Sequence, residues 1–438
     1  MSPSIPTFSE TLLYKGTKLS SRLRFVLEVL CEQYGWSLQA LEPKALSLAS
    51  FELALQNKEV AQQAFVQFSS HPLLDEGIKL EPSTLLWGEV EGIPCPVENN
   101  AFAGAFYLLS AYEEYFVDER DQHGRVPAAS LRVVASGFAE RPLADRLLAA
   151  IAHQLWQAAK RPGVPQPTHL RGLSTLDIDS GTAMHGKPLH RRLAVLAREV
   201  LKFRTRGSFA AVKSLFGDRD PYDTFAMLAD LHREFDLKPL VFLLLGYDTP
   251  IDPGYPAGDT RYEKLIDQLQ AWVSLGLHPS YHTAEDGQLL SCEADRFSAL
   301  TGHQRVLHSR QHFLRIAWPQ TLRNLEDLGV GTDYSLGWPD ALGFRLGTAR
   351  SVLWYDLRSD RTSTLRLRPP HAMEATARHY LRLSPKQFVN RCASLAEECR
   401  HSNAGLHVIW HNSNLGPLHG WGVWRSAYRE ILQLVASA

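Results

Sequence analysis

Hydrophobic and polar positions follow two different patterns along this chain, and the change of pattern divides it into two parts. Before residue 160, apolar side chains at helical spacing over 19–34 predict an amphipathic helix. Two further helical runs cover 101–116, which is rich in Ala, Leu and aromatic residues, and 143–159. Short alternating stretches between these helices indicate a mixed α+β region. Residues 161–169 contain three prolines and a glycine, a composition typical of a linker. We therefore predict an N-terminal α+β domain over 1–160, whose role the sequence does not identify, and a second domain over 170–438.

Strand-like apolar runs alternate with helices throughout the second part. The predicted strands are 175–178, 239–245, 276–277, 306–308, 330–334, 351–355 and 406–410. The predicted helices between and after them are 193–203, 223–235, 261–275, 319–328, 385–401 and 424–435. Such alternation predicts an α/β fold, with a parallel sheet and crossover helices. Seven strands suggest a closed or nearly closed barrel, in which functional residues gather where the strands end.

Composition narrows the class of protein. The chain has 438 residues, 45% of them hydrophobic, and a formal net charge of -1, so the chain as a whole carries no electrostatic footprint for nucleic acid or an anionic membrane. No apolar run has transmembrane length. Residues 1–7 lack the basic and apolar regions of a secretory signal. The five scattered cysteines indicate reduced thiols, and we expect a cytoplasmic protein.

Two carboxylates, Asp177 and Asp179, stand one residue apart where the first predicted strand meets a loop. Alternate side chains of a strand share a face, so both carboxylates point the same way. Adjacent carboxylates repel each other unless a cation or a shared proton compensates them, which makes the pair a candidate metal site. Asp and Ser are also common helix caps, and a helix N-terminus is the alternative reading.

Histidines follow other predicted strands, in three pairs with four-residue spacing. The segment between His278 and His282 contains a proline and is loop-like, so these two are the best candidates for metal ligands. His308 and His407 lie in apolar strand-like runs and are better explained as structural residues. The partner of His407 is His411, which ends the last predicted strand.

Taken in order, these segments resemble the motifs of the NodB-homology polysaccharide deacetylases. The run Thr-Leu-Asp-Ile-Asp at 175–179 is similar to the first motif, and His-Pro-Ser-Tyr-His at 278–282 to the second. Phe-Leu-Arg at 313–315 resembles the third, which contributes an arginine, and His411 after the apolar run Val-Ile-Trp at 408–410 resembles the last. Short sequence segments in both parts of the chain resemble those of a subgroup with a long N-terminal domain. Leu176 departs from the family, which has an aromatic residue or histidine there.

The resemblance implies a fold and a metal. The fold is a distorted (β/α) barrel of about seven strands, preceded by the N-terminal domain. The metal is a divalent cation, for which zinc is the preferred assignment and cobalt or nickel are alternatives. Its ligands are assigned to Asp179, His278 and His282, and the division of roles between Asp177 and Asp179 stays open.

The resemblance also implies a reaction, the hydrolysis of an N-acetyl group on an amino-sugar glycan or its precursor. Asp177 is expected to act as general base, Arg315 to orient it, and His411 to protonate the leaving amine. An N-acetylated carbohydrate is the expected partner, with no nucleic acid and no membrane span. The oligomeric state stays open.

Four further residues have two readings each. His312, Tyr281, Asp333 and Arg345 stand near the motifs and are candidates for contacts to substrate or to the metal ligands. Packing within the core or a structural ion pair explains His312, Asp333 and Arg345 equally well, and burial is the more common role of a tyrosine such as Tyr281.

Two other functions remain as alternatives. One is a catalytically inactive carbohydrate-binding protein on the same barrel, which metal content would distinguish from an enzyme. The other is an amidohydrolase, but that class brings His-x-His on its first strand, where this chain has Asp-x-Asp.

Overall fold

The computed structural model describes residues 10–16, 19–41, 50–56, 63–217, 219–246, 249, 251–252, 260–302 and 305–437. The expectation about a secretory signal concerns residues 1–7, which lie outside the described residues. Among the described residues, no helix combines the length and the apolar character that crossing a bilayer requires.

The N-terminal part is built on a small sheet and four helices. Its strands are β1 (Glu10–Lys15), β2 (Trp36–Ala40), β3 (Ser50–Leu55), β4 (Val66–Ser69), β5 (Gly88–Val90) and β6 (Ile93–Cys95). Its helices are α1 (Ser21–Tyr34), α2 (Ala101–Leu109), α3 (Arg132–Ala135) and α4 (Leu143–Ala158). Strands β1 to β4 form one sheet in the order β2-β1-β3-β4, and β5 pairs with β6.

The C-terminal part is built on a nine-stranded, mainly parallel sheet. Its strands are β7 (Leu173–Ile178), β8 (Leu240–Leu244), β9 (Ser274–His278), β10 (His308–Ser309), β11 (Thr332–Asp333), β12 (Val352–Asp356), β13 (Arg361–Leu367), β14 (Ala372–Met373) and β15 (His407–His411). Its helices are α5 (Leu189–Leu201), α6 (Thr205–Leu215), α7 (Phe225–Glu234), α8 (Thr260–Gln270), α9 (Gly287–Thr301), α10 (Gln320–Asp327), α11 (Pro385–His401) and α12 (Arg425–Ala436). The strand order is β12-β13-β11-β10-β9-β8-β7-β15-β14.

Local sequence signals explain the best-predicted helices. Helix α11 has the predicted bounds because Ser384 and Gln387 form a capping box and Pro385 occupies the first turn. Helix α1 begins after Ser20, whose hydroxyl accepts a bond from the Leu23 amide, and ends at Gly35 in the left-handed conformation.

The structure confirms the α/β class and corrects the details. Strand β12 was expected in the parallel sheet, but it pairs antiparallel with β13 at the sheet's edge. Strands β13 and β14 and helices α6 and α9 were not predicted. Helix α9 and strand β13 bury the polar residues Glu293 and Ser363, which weakens their apolar pattern.

The large sheet is strongly rolled. Five strand steps separate β11 from β15 along the strand order, about 24 Å in a flat sheet. Yet the rings of Tyr334, just after β11, and His407 on β15 are 5.8 Å apart. Strands β13 and β14 are successive parts of one extended segment, of which the first pairs with β11 and the second with β15. Among the described residues, the terminal strands of the order, β12 and β14, do not pair with each other.

The two parts share one continuous hydrophobic core. Buried ion pairs also cross between them: Arg345 binds Glu114 through two bonds of 2.8 and 2.6 Å. Arg22, fully buried on α1, binds Asp360 at 2.6 Å. The segment 161–169 has no helix or strand, as expected for a linker, and the division into two domains stays a prediction.

Candidate functional site

The candidate site lies at the carboxyl edge of the rolled sheet. Asp177 is the penultimate residue of β7, and Asp179 follows its end. His278 ends β9, and His411 ends β15, directly opposite Asp177 in the register. His312 follows the two-residue strand β10. Because these strands are parallel neighbours, they deliver all five side chains to one edge.

Asp179, His278 and His312 form a group that fits a metal ion, since their nearest donor atoms all lie within 4.8 Å of one another. Asp179 Oδ1 is 3.3 Å from His278 Nε2, and Asp179 Oδ2 is 3.7 Å from His312 Nε2. A tetrahedral zinc site with bonds of about 2.1 Å separates its donor atoms by about 3.4 Å. Asp179 Oδ1 and His278 Nε2 are buried and have no hydrogen-bond partner, although buried polar atoms normally find one. A cation bound here would satisfy both atoms.

Both imidazoles of this group have a hydrogen-bonding partner at Nδ1, on the side of the ring away from the candidate metal position. His278 Nδ1 donates to the backbone oxygen of Arg310 at 2.5 Å, and His312 Nδ1 lies 2.7 Å from an Asp252 oxygen. Such bonds fix the ring orientation and leave Nε2 of each ring aimed at the shared centre, the usual support of a metal-binding histidine.

The electrostatics of the group are strongly coupled. Burial alone would raise the pKa of Asp179, but the positive charges of His312 and His411 outweigh it and hold the pKa well below its usual value. Burial opposes the charged form of His312, yet Asp179 and Asp252 raise its pKa to about 9. A metal ligand must be the neutral imidazole, so metal binding competes with this proton.

Arg310 is the arginine that contacts Asp177, not Arg315 as expected. Arg310 is fully buried, and its guanidinium donates to Asp177 Oδ1 at 2.6 Å and to the Thr175 hydroxyl at 2.8 Å. The guanidinium also lies over the Phe242 ring, 4.4 Å from its centroid. Its position inside the rolled sheet fixes the Asp177 carboxylate by a charge-assisted bond.

His411 forms a pair with Glu374, a fully buried carboxylate that follows β14. His411 Nδ1 is 2.7 Å from Glu374 Oε1, and its Nε2 is 3.9 Å from Asp179 Oδ2. Burial opposes the charged form of His411, but Glu374 and Asp179 raise its pKa to about 10. The pairing with Glu374 therefore favours the imidazolium form of His411, which can donate a proton from Nε2.

The other residues predicted around the second and third motifs lie outside this group. His282 is exposed and is not among the described residues that could share a metal with Asp179. Arg315 binds Glu285 at 2.7 Å, donates to the backbone oxygens of His123 and Tyr281, and lies over the Tyr281 ring. Tyr281 is half-buried among these side chains, which join the rim of the sheet to the N-terminal part.

Asp333 and Arg345 have structural partners. Asp333 is buried and accepts bonds from Ser309 and Ser335, and Ser335 Oγ in turn accepts the Gln311 amide, beside His312. Burial raises the pKa of Asp333. Arg345 is occupied by Glu114 of the N-terminal part, so it braces the two parts against each other.

A cavity of about 370 Å³ opens over the site, within the range of small-molecule sites. Its lining includes Asp177, Asp179, His278, His312 and His411. The N-terminal part contributes Gln122 and Arg125 to the same wall. Arg125 is buried, donates to the Phe313 backbone oxygen at 2.7 Å and reaches the Tyr380 hydroxyl at 3.0 Å. A larger cavity of about 720 Å³ opens where β7 and β8 begin, and none of the predicted site residues line it.

Four residues of the site received no role from the sequence: Arg310, Asp252, Glu374 and Arg125. Arg310 directly follows β10 among the polar residues noted at strand ends, Glu374 directly follows β14, and Asp252 lies in the loop after β8. Strand β14 has only two residues and gives no hydrophobic pattern, which hid Glu374. No sequence signal places Arg125 in the site, because it comes from the other part of the chain.

Comparison with known proteins gives three findings. Residues 12–160 match a family described as "Family of unknown function (DUF7033)". No curated protein matches the chain. A crystal structure described as a "putative polysaccharide deacetylase from Mycobacterium smegmatis" aligns with a TM-score of 0.38 and 14% identity, over 61% of this chain and 85% of that one. A TM-score this low carries no argument about the chemistry of this chain.

Proposed function

We propose that this protein is a metal-dependent hydrolase that removes N-acetyl groups from an amino-sugar glycan or glycan precursor. One observation carries the proposal: the candidate metal group has a carboxylate on one side and an imidazole on the other. The carboxylate is Asp177, which Arg310 binds, and the imidazole is His411, which is paired with Glu374. A base and an acid beside an electrophilic centre are what amide hydrolysis needs.

In this proposal Asp179, His278 and His312 hold the metal. The chemistry that a divalent cation supplies when bound at such a site is polarisation of the amide carbonyl and a lower pKa for the attacking water. His312 takes the ligand role that the sequence pattern had assigned to His282. This exchange leaves the ligand chemistry unchanged, with one carboxylate and two imidazoles.

The chain's own residues then move two protons. Asp177 accepts a proton from the attacking water as the new carbon–oxygen bond forms, and Arg310 keeps the carboxylate oriented. His411 donates a proton to the amide nitrogen as the carbon–nitrogen bond breaks. The products are acetate and a free amine, and a proton passed back from Asp177 to His411 or solvent completes the cycle.

The fold and the cavity support a compact substrate. The rolled sheet is proposed to act as a nearly closed barrel, with the 361–373 segment linking β11 to β15. Gln122 and Arg125 wall one side of the cavity, so the N-terminal part belongs to the binding site. A wall at this position favours a short glycan or a chain end over the middle of a long polymer.

The test is acetate release from N-acetylated oligosaccharides by the full chain with zinc. Asp177→Asn should lower kcat by about 10²- to 10⁴-fold, while zinc binding persists. Asp230→Asn, an exposed carboxylate on α7, is the matched control and should leave kcat unchanged. Equal acetate release by wild type and Asp177→Asn would remove Asp177 as the base.

An inactive carbohydrate-binding protein is the competing proposal. It predicts binding of the same oligosaccharides with no acetate release at any metal concentration. Purified protein that neither holds a divalent metal nor gains one from zinc or cobalt solutions would favour that reading.

A further inference from the structure

Helices α5 and α6 turn apolar side chains towards solvent. On α5, Leu193 and Val200 are about half exposed; Phe209 on α6 is 64% exposed, and Phe216, directly after α6, is 87% exposed. Phe203, between the helices, is 92% exposed. The apolar stripe of a helix in a soluble domain normally faces the core. Here the stripes at positions 189, 193, 196 and 200 and at 209, 212 and 216 follow helical spacing, but largely on the outer surface.

This surface, the α5–α6 face, comprises the exposed side chains Leu193, Val200, Phe203, Phe209, Val212 and Phe216.

The same segment is strongly basic. Residues 187–217 contain eight lysines and arginines and a single acidic residue, Glu199. Glu199 is fully buried and is bound by Arg204 at 3.1 Å, so it does not offset the surface charge. The whole chain has a net charge of only -1, which concealed this local concentration from the sequence analysis. Lys213 lies over the Phe209 ring, so a cation directly flanks the apolar stripe.

The helix pair is held firmly to the rest of the protein. Arg192 on α5 donates to the backbone oxygens of Ser214 and Leu215 at the end of α6. The Asp220 carboxylate accepts hydrogen bonds from the backbone amides of residues 183–185, which joins the loop before α5 to the loop after α6. Glu199 also accepts the backbone amide of His419 at 3.1 Å. The exposed apolar stripes therefore belong to a fixed surface.

This surface lies on the same edge of the sheet as the candidate site. The segment that carries α5 and α6 begins just after Asp179 at the end of β7. Arg378 donates to the backbone oxygen of His419, and its neighbours His379 and Tyr380 line the site cavity. The helix pair and the cavity are thus joined through one connected segment.

Charge and composition together select one kind of occupant. A second copy of this chain would bring the same excess of positive charge to the contact, and like charges oppose it. The phosphates of nucleic acid would bind the cations, but nucleic acid would leave the six exposed apolar side chains without an apolar partner. An anionic bilayer satisfies both, because apolar side chains enter the acyl boundary while lysines and arginines bind the headgroups.

We propose that the α5–α6 face is a membrane-docking surface that binds anionic phospholipids in the plane of the bilayer. Docking would turn the carboxyl edge of the large sheet towards the membrane surface. This docking role also extends the proposed hydrolase function and rests on it: the substrate class is then an amide-bearing glycan carried at an anionic membrane.

The experiment is cosedimentation of the full chain with vesicles, in buffer of physiological salt. Wild type should bind vesicles of equal parts phosphatidylcholine and phosphatidylglycerol, and should stay in solution with phosphatidylcholine alone. The triple variant Phe203→Ser, Phe209→Ser, Phe216→Ser should lower the partition coefficient at least about tenfold. Arg206→Glu with Lys213→Glu should weaken binding similarly, through charge alone.

A control is Leu86→Ser, which removes an apolar side chain about as exposed as Phe209 from the N-terminal part and should leave partitioning unchanged. Circular dichroism of each variant checks that its fold is intact. No vesicle binding by wild type, or equal binding by wild type and the triple variant, overturns the proposal. So does a dimer that the triple substitution abolishes, or binding to DNA in preference to vesicles. Because partitioning is read without substrate, docking without acetate release would refute only the hydrolase function, and acetate release without docking only this surface.

Discussion

Replacing His312 by alanine tests which histidine completes the metal group. His312 Nε2 is 3.7 Å from Asp179 Oδ2, whereas His282, the ligand expected from the sequence, is exposed and outside the group. We expect His312→Ala to lose zinc binding and His282→Ala to keep it. The two variants remove the same side chain from positions thirty residues apart in the sequence, so they form a matched pair.

The expected size of the effect follows from the contacts of His312. Its Nδ1 is held by Asp252 at 2.7 Å, and loss of such a supporting bond typically weakens metal affinity about 10- to 100-fold. This corresponds to about 1.4 to 2.7 kcal/mol, which we expect for Asp252→Asn. Removing the imidazole itself takes away one of three protein ligands, so His312→Ala should exceed the upper end of that range.

The assay is zinc titration against a competing chelator, with the urea midpoint of each apo-variant measured in parallel. Asp252→Asn keeps the His312 ring and separates a loss of affinity from a loss of fold. If His282→Ala weakened zinc binding as much as His312→Ala, the assignment of the ligands would be refuted.

Three further outcomes follow from the same structure. Arg310→Lys should lower kcat about 10- to 100-fold, because one point charge cannot hold Asp177 and Thr175 together as the guanidinium does; unchanged kcat would contradict this role. Glu374→Gln should shift the alkaline limb of the kcat profile to lower pH, since Glu374 raises the pKa of His411; an unmoved limb would exclude His411 as the acid. His232 should make folding sensitive to acid: burial lowers its pKa from 6.5 to about 4, so the unfolded chain binds the extra proton and stability falls as pH drops from about 6.5 to about 4. His232 contributes about 3 kcal/mol to this loss in urea titrations. The loss should be smaller by that amount in His232→Gln, in which His371 and His407, whose pKa burial also lowers, still act; equal slopes for both proteins would refute it.

The carboxylate pair shows how far the sequence reaches into the site. Strand periodicity placed Asp177 and Asp179 on one face at a strand end, and the structure has them there. His278 and His411 likewise end their strands, as their positions after apolar runs predicted. These positions depend on local backbone geometry, which neighbouring residues decide.

The positions of the arginine beside Asp177 and of His312 in the candidate metal group depended on contacts between distant parts of the chain. His308 and His407 were interpreted as structural because they lie in apolar runs, and His312 was kept only as a candidate for contacts to substrate or to the metal ligands. Strand β10 ends at Ser309 and leaves His312 in the loop. Arg310 and Arg315 are both arginines of one loop, and only the roll of the sheet brings Arg310 beside Asp177. A difference of five residues along a loop cannot be resolved by spacing alone.

The sequence by itself determined the α/β class, the main helices and strands, and the edge of the sheet where the polar residues gather, because periodicity and strand ends are local properties. Only the tertiary structure decided that His312 joins Asp179, that Glu374 backs His411, and that Arg125 from the N-terminal part walls the cavity. It also turned the apolar stripes of α5 and α6 outward, where helical period alone predicts a buried face. These outcomes arise from contacts between residues far apart in the chain, whose geometry is set by how the sheet rolls and which surfaces the core covers.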